Sequence, residues 1–282
     1  MMKLYDSAFS PFARKVRLVL EHKGLAFEAV DGLLKANHAA LKAANGRVEV
    51  PALIDGDGGD GGGDAIVIVN SADIVSHLEY RHPAMPVYPA TPAQRVHARA
   101  WERCADSYID AILIDISYWK WAERADIMPS GMLDAARADM QLVYDALESA
   151  LGEGEFVSGP LSIADFALFP HIASVRAMEV DYSTQQYPRL ARWFKRMRAL
   201  PVCAADLQRA REFLATLAQA DVETRRIFWR GDRIEWLLAR GFHEWFFEEI
   251  KAQRVLWPGA ALPAPLHPCR TNAAASSITA NA

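Results

Sequence analysis

The chain is poor in cysteine, with Cys104, Cys203 and Cys269 scattered and odd in number. That pattern supplies neither a disulfide framework nor a metal-ligand cluster, and it points to a reducing, cytoplasmic setting. No apolar run is long enough to span a bilayer. The opening Met1-Met2-Lys3-Leu4-Tyr5-Asp6 lacks the apolar core of a secretion signal. Charge of one sign is also lacking: 31 Lys and Arg stand against 35 Asp and Glu, a net −4. Such a balance gives no reason to expect nucleic acid or an anionic membrane as partner. What remains is ordinary for a globular protein, with 51% hydrophobic and 23% charged residues, and 282 residues suffice for two domains.

The first eighty residues are organised around Ser10-Pro11-Phe12-Ala13-Arg14-Lys15-Val16-Arg17. A strand-like run, Lys3-Leu4-Tyr5, precedes it, and Gly24 ends the helix that it opens. Ser10 suits the N-cap and Pro11 the first helical position, where a missing N–H costs nothing. Phe12, Val16, Val19 and Leu20 share one helical face, and Arg14, Lys15 and Arg17 lie off it. A hydroxyl at a helix N-terminus, beside free N–H groups and the positive dipole end, favours a bound anion.

Ala26-Phe27-Glu28-Ala29-Val30 reads as a second strand, residues 34–44 as a helix, and residues 48–55 as a strand headed by Pro51. A strand, a helix and a strand at this spacing predict a parallel pair with a crossover. Asp55, Asp57 and Asp60 alternate with glycine, but without the spacing or downstream Glu of a calcium loop. This stretch is therefore a long hairpin loop before the strand at residues 65–69. Asn70 then caps a helix to about Arg81, with Asp73 at N3 in a capping-box-like pairing. The predicted order is β-α-β-α-β-β-α over residues 1–81.

Pro83, Pro86 and Pro89 mark residues 82–91 as a linker. Thr91-Pro92 opens a long helix on which Trp101, Tyr108, Ile112 and Trp119 form a core-facing stripe. Helices follow at residues 131–151, 188–200 and 202–217. Between the first two, Ser162 and Asp165 form a capping box flanked by the staple Leu161 and Phe166. Asp165 is therefore structural, and His171 within that helix is a core or interface residue. An all-helical domain thus spans residues 92–220. Residues 221–257 add an aromatic-rich extension carrying Phe228, Trp229, Trp236, Phe242, Trp245, Phe246, Phe247 and Trp257. Those rings must be buried against their own domain, a dimer partner or the roof of a pocket. Residues 258–282, rich in Ala, Pro, Ser and Asn, read as a disordered tail.

Four pieces in this order resemble the glutathione transferase family. Ser10-Pro11-Phe12-Ala13 resembles the catalytic corner of its serine-type classes, such as tau. The omega class has a Cys where this chain has Ser10. Asn45-Gly46-Arg47-Val48-Glu49-Val50-Pro51-Ala52-Leu53 resembles the N-P-x-G-K-V-P-x-L segment. Asn70-Ser71 resembles the acidic-residue-then-Ser pair, and Ser162-Ile163-Ala164-Asp165 the capping box of the helical domain. The resemblance implies an α/β thioredoxin-like N-terminal domain plus an all-α C-terminal domain, a homodimer, and glutathione as co-substrate without a metal. It implies that Ser10 donates its hydroxyl to the glutathione sulfur. It also implies that Pro51 is cis, that Val50 pairs through its backbone with the cysteinyl unit, and that Asn70 and Ser71 hold the γ-glutamyl carboxylate. Phe12, Tyr108 and Ile112 are the implied wall of a pocket for a small-molecule electrophile. Glu49 stands where many relatives carry Lys, with Arg47 as a nearby cation; Asn70 replaces an acidic residue, and the proline after Asn45 is missing.

The implied reaction is attack of the glutathione thiolate on a small apolar electrophile, by addition or displacement. Two other readings stay open: a non-catalytic binding or scaffold protein of the same fold, and a glutathione-dependent thiol oxidoreductase, for which the corner lacks the cysteine.

Overall fold

The computed structural model describes residues 1–56, 65–121, 128–216, 226–227 and 231–256. They divide into two compact units. The first unit runs from Met1 to Met85 and takes in residues 208–216; the second runs from Pro86 to Leu207 and takes in the described residues from 226 on.

In the first unit β1 (Met2–Asp6), α1 (Pro11–His22), β2 (Phe27–Asp31), α2 (His38–Asn45), β3 (Ala52–Asp55), β4 (Ile66–Val69) and α3 (Ser71–Arg81) follow in the expected order. The sheet order is β2-β1-β3-β4, with β1 parallel to β2, and β3 antiparallel to both β1 and β4. Leu4 of β1 stands opposite Ala29 and Leu53, and both leucines have no exposed surface. The third strand is shorter than the run of residues 48–55: it starts after Pro51, which has no N–H for a ladder. The helix expected at residues 34–44 starts as a 3-10 turn, Lys35–Asn37, and α2 ends at Gly46 with φ 78°.

Helix α1 is buried on all sides, and this includes Arg14, Lys15 and Arg17 of the polar flank. Arg17 pairs with Asp6 at the end of β1. Long aliphatic stems let such side chains cover apolar surface while their heads find partners. Asp55 pairs with His77 of α3, Oδ2 to Nε2 at 2.7 Å; Asp57 and Asp60 lie outside the described residues.

The linker is divided between the units. Lys23, at the C-cap of α1, donates to the carbonyls of His82, Ala84 and Met85 at 2.9, 3.2 and 3.3 Å and pairs with Glu79 at 2.6 Å. The next residues attach to the second unit: the Val87 carbonyl accepts from the Ile163 N–H at 2.9 Å, and Arg95 Nε donates to the Pro89 carbonyl at 3.2 Å. The chain therefore changes unit at Met85–Pro86, inside the span expected as a linker.

The second unit contains α4 (Pro92–Cys104), a π turn (Ala105–Ile109), α5 (Asp110–Trp121), α6 (Met132–Leu151), α7 (Ile163–Ile172), α8 (Pro188–Ala199) and the start of α9 (Pro201–Thr216). The π turn corrects the predicted stripe. Its wide turn holds an extra residue and shifts the helical phase. Ile109 and Ile112 are then fully buried, Tyr108 is 38% exposed and Trp101 half-buried, while the Trp119 side chain lies outside the description. Ser162 and Asp165 form the capping box, and the Asp165 carboxylate also accepts from Val157 N at 3.1 Å and Trp193 Nε1 at 2.8 Å. His171 is buried within α7.

Residues 208–216, expected within the helical domain, belong to the first unit. Phe213 packs edge-on against Phe9 with centroids 4.9 Å apart, and Arg209 pairs with Glu21 at 2.9 Å. The extension forms β5 (Arg226–Ile227), α10 (Gly231–Ala239), α11 (His243–Lys251) and β6 (Val255–Leu256). It packs within the second unit: Arg233 Nε meets Asp110 at 2.9 Å, and Trp236 and Arg240 both donate to Asp139 of α6. Trp236 and Phe246 are buried there. Phe228, Trp229, Trp257 and residues 258–282 lie outside the described residues. No helix of the described residues is long and apolar enough to cross a membrane.

Candidate functional site

The sheet register gathers the predicted site residues of the first unit. Tyr5 of β1 stands opposite Ala52 of β3, and Ala52 stands opposite Val69 of β4. The corner after β1, the loop before β3 and the turn after β4 therefore lie together at one end of the strands. Ser10, Val50-Pro51 and Asn70-Ser71 are on those three connections.

The corner is fixed by short side-chain caps. Asp6 Oδ1 accepts the Ser7 N–H at 2.7 Å, and Ser7 Oγ accepts from Phe9 N at 3.1 Å and Ser10 N at 3.4 Å. Ser10 is extended, and its Oγ accepts from Ala13 N at 3.3 Å as the N-cap of α1. A hydroxyl that accepts in this way keeps its own proton to donate. Ser10 is half-buried, at the positive end of a twelve-residue helix.

In the loop before β3 the Val50–Pro51 peptide bond is cis. Asn45 Nδ2 donates to the Glu49 carbonyl at 2.6 Å. The Val48 and Val50 side chains pack on the core cluster of Tyr5, Leu41 and Ala52. Arg47 Nη1 lies 3.8 Å from Glu49 Oε2, so the anion that departs from the family pattern is countered within its own loop. Tyr5 is a core residue, 6% exposed, as its strand position suggests.

At the start of α3, Asn70 takes φ 70° and ψ 124°, and its Oδ1 accepts the Ala72 N–H at 3.0 Å. The cap thus reaches N2, with Asp73 in the first turn. This backbone region is sparsely populated for a non-glycine residue and costs about 1–3 kcal/mol, a strain found mainly at functional positions. Asn70 is exposed and Ser71 is buried.

The predicted pocket wall fares differently. Phe12 is half-buried beside Ser10. Tyr108 lies in the second unit, where its hydroxyl is within hydrogen-bonding reach of Asp139 and Arg240; burial pushes this phenol above its usual range. Ile112 has no exposed surface, so it is a core residue of the helical unit and offers a substrate nothing to touch. The aromatic pair Phe9 and Phe213 was not identified from sequence. Phe9, one residue before the cap, is legible as an apolar residue at N′; the sequence around Phe213 carries no signal that connects it to the corner. No group of three His, Cys, Asp or Glu among the described residues is placed to hold a metal.

A four-stranded mixed sheet with a Ser-capped helix, a cis-proline loop and a second capped helix at one end of its strands, followed by a helical unit, defines the glutathione transferase class of fold. Comparison with known proteins agrees. Residues 4–86 match the family model described as Glutathione S-transferase, N-terminal domain, and residues 133–196 match Glutathione S-transferase, C-terminal domain. The chain is 25% identical over 228 residues to pyrimidodiazepine synthase of Drosophila melanogaster, covering 77% of this chain and 86% of that protein. It is 28% identical over 207 residues to a probable maleylacetoacetate isomerase of Caenorhabditis elegans, covering 72% and 91%. Among solved structures, glutathione S-transferase isozyme E7 of Drosophila melanogaster aligns with a TM-score of 0.62 at 26% identity, over 79% of this chain and 98% of that one. The protein belongs to the glutathione S-transferase family.

Proposed function

We propose that this protein is a glutathione transferase that activates the glutathione thiol at Ser10 and adds the thiolate to a small apolar electrophile, or uses it to displace a leaving group. The observation that carries this reading is the row Tyr5–Ala52–Val69, which sets three strand connections side by side. Three adjacent strands span about 10 Å, and an extended tripeptide is about as long. Ser10 faces the sulfur, the Val50 backbone takes the cysteinyl unit, and Asn70 with Ser71 takes the γ-glutamyl carboxylate at a helix start. Phe9, Phe12 and Phe213 supply apolar surface near the corner for the electrophile. The active form is a homodimer, as is general for the family.

The chemistry needs an anion. A free thiol ionises near pH 8.5 and is mostly protonated at neutral pH. A hydrogen bond to a charged group contributes about 1.5–3 kcal/mol, which lowers the thiol pKa by roughly one to two units. The positive end of α1 acts in the same direction. Ser10 is not modified in the reaction; it stabilises the thiolate that does the work.

The test is retention on immobilised glutathione, together with turnover of a generic aryl halide by the native chain and by Ser10→Ala. The expected result is retention by both proteins, with the pKa of the bound thiol raised by roughly one to two units in the variant and turnover at neutral pH reduced roughly 8- to 25-fold. An unchanged thiol pKa removes Ser10 from the mechanism. Failure of the native chain to be retained favours the binding or scaffold reading, and fast disulfide exchange with glutathione favours an oxidoreductase.

A further inference from the structure

Gly32 follows β2 directly, and its N–H donates to the Asp6 carbonyl at 2.7 Å, which ties it to the end of β1. A methyl group on its Cα would stand 2.3 Å from Val50 Cγ1, 3.2 Å from Leu41 Cδ2 and 3.4 Å from the Asp6 carbonyl oxygen. Carbon atoms pack favourably at about 3.5–4.0 Å, so the first of these approaches cannot be kept. Val50 has little freedom to yield. A β-branched side chain is stiff at χ1. Its side chain packs on Tyr5, Leu41 and Ala52, and Asn45 holds the preceding carbonyl at 2.6 Å. Leu41, on the other side, is itself fully buried.

We propose that Gly32 is a positioning residue for glutathione: its missing side chain is the space in which Val50 seats, and this seat sets where the Val50 N–H and C=O meet the cysteinyl unit. The proposal rests on the reading of Val50 as the backbone partner of that unit. This role requires no contact between Gly32 and the peptide itself. Its approach to Val50 is steric, so its influence on the peptide runs through the geometry of the loop before β3.

The experiment compares Gly32→Ala, Val50→Ala and the double variant, all in the full chain. Reduced glutathione binding is read by calorimetry, KM and kcat by aryl halide turnover, and folding by thermal unfolding. Gly32→Ala is expected to raise the Kd and KM for glutathione about tenfold, with kcat at saturating glutathione within about twofold of native. Val50→Ala removes the colliding methyl while keeping the backbone groups. The double variant is therefore expected to bind within about twofold of Val50→Ala alone. Should Gly32→Ala fail to fold, recovery of folding and binding in the double variant supports the proposal. A double variant that remains unfolded, or folds without binding, overturns it. Native-like glutathione binding by Gly32→Ala overturns it as well, as does a loss in kcat with KM unchanged. Failure of the native chain to bind glutathione overturns the functional reading first, and this proposal with it.

Discussion

Replacing Arg240 with alanine measures what holds the C-terminal extension in place. Asp139 lies in the middle of α6 and is 2% exposed. Its carboxylate accepts the Trp236 indole N–H at 2.8 Å, Arg240 Nε at 2.8 Å and a second bond from Arg240 Nη2. A carboxylate taken out of water needs such partners, and removing one partner of a fully buried pair costs about 3–5 kcal/mol. Arg240 is 43% exposed, so water screens one side of this pair and the loss falls below that range. The indole bond would remain. The expected destabilisation is about 2–3 kcal/mol, or a fall in Tm of roughly 5–10 °C for a unit of this size. Urea titration followed by circular dichroism and tryptophan fluorescence measures it, with Trp236 itself as a reporter. Replacing Asp139 with asparagine and Arg240 with leucine together removes the charge and its partner at once, keeps an acceptor for the Trp236 indole, and should recover much of the loss. A change under about 0.5 kcal/mol for Arg240→Ala would refute the reasoning. So would a double variant no more stable than the single one. The extension would then be held by the apolar contacts of Trp236, Leu237 and Phe246.

Other predictions follow from the same geometry. Lys23→Met removes the cation beside Glu79 and the donor to three carbonyls, so it should cost about 3–5 kcal/mol and open residues 82–85 to limited proteolysis; native-like resistance would count against it. Burial pushes the phenols of Tyr182 and Tyr187 up to about 12 and raises that of Tyr144 as well. An unfolded phenol ionises near pH 10, so the folded state keeps protons that the unfolded state loses. Stability present below about pH 10 is then lost as pH rises towards 12. Urea midpoints across that window should fall, less steeply in Tyr182→Phe. Asp165→Ala leaves the Ser162 N–H, the Val157 N–H and the Trp193 indole without their acceptor; it should cost roughly 3–5 kcal/mol, and a Tm within a few degrees of native would contradict this.

What the amino-acid sequence reveals of this protein depends on how local each cause is. Ser10 before Pro11, Asn70 before Ser71, and Ser162 three residues before Asp165 are caps made within one turn of helix, and their residue types alone announce them. The element order of the first unit is legible for the same reason. The burial of Lys15 and Arg17 is not: polar residues off an apolar face read as solvated, and only the assembled unit shows them covered. Asp139 on α6 signals nothing in the sequence, because the indole and guanidinium that meet it lie about a hundred positions further on. The π turn shifts Tyr108 and Ile112 relative to the core because a period of 3.6 carried through it miscounts by a residue. Gly32 is silent by nature, since a missing side chain signals nothing until Val50 is seen in the space it leaves. The candidate site combines both kinds of cause. Its hydroxyl and helix starts are local, whereas their meeting at one end of the strands depends on the register Tyr5–Ala52–Val69, which is set by strand pairing. A site made of one hydroxyl, backbone groups and helix ends has no titratable cluster, which is why charge and composition are silent about its chemistry while the caps are not.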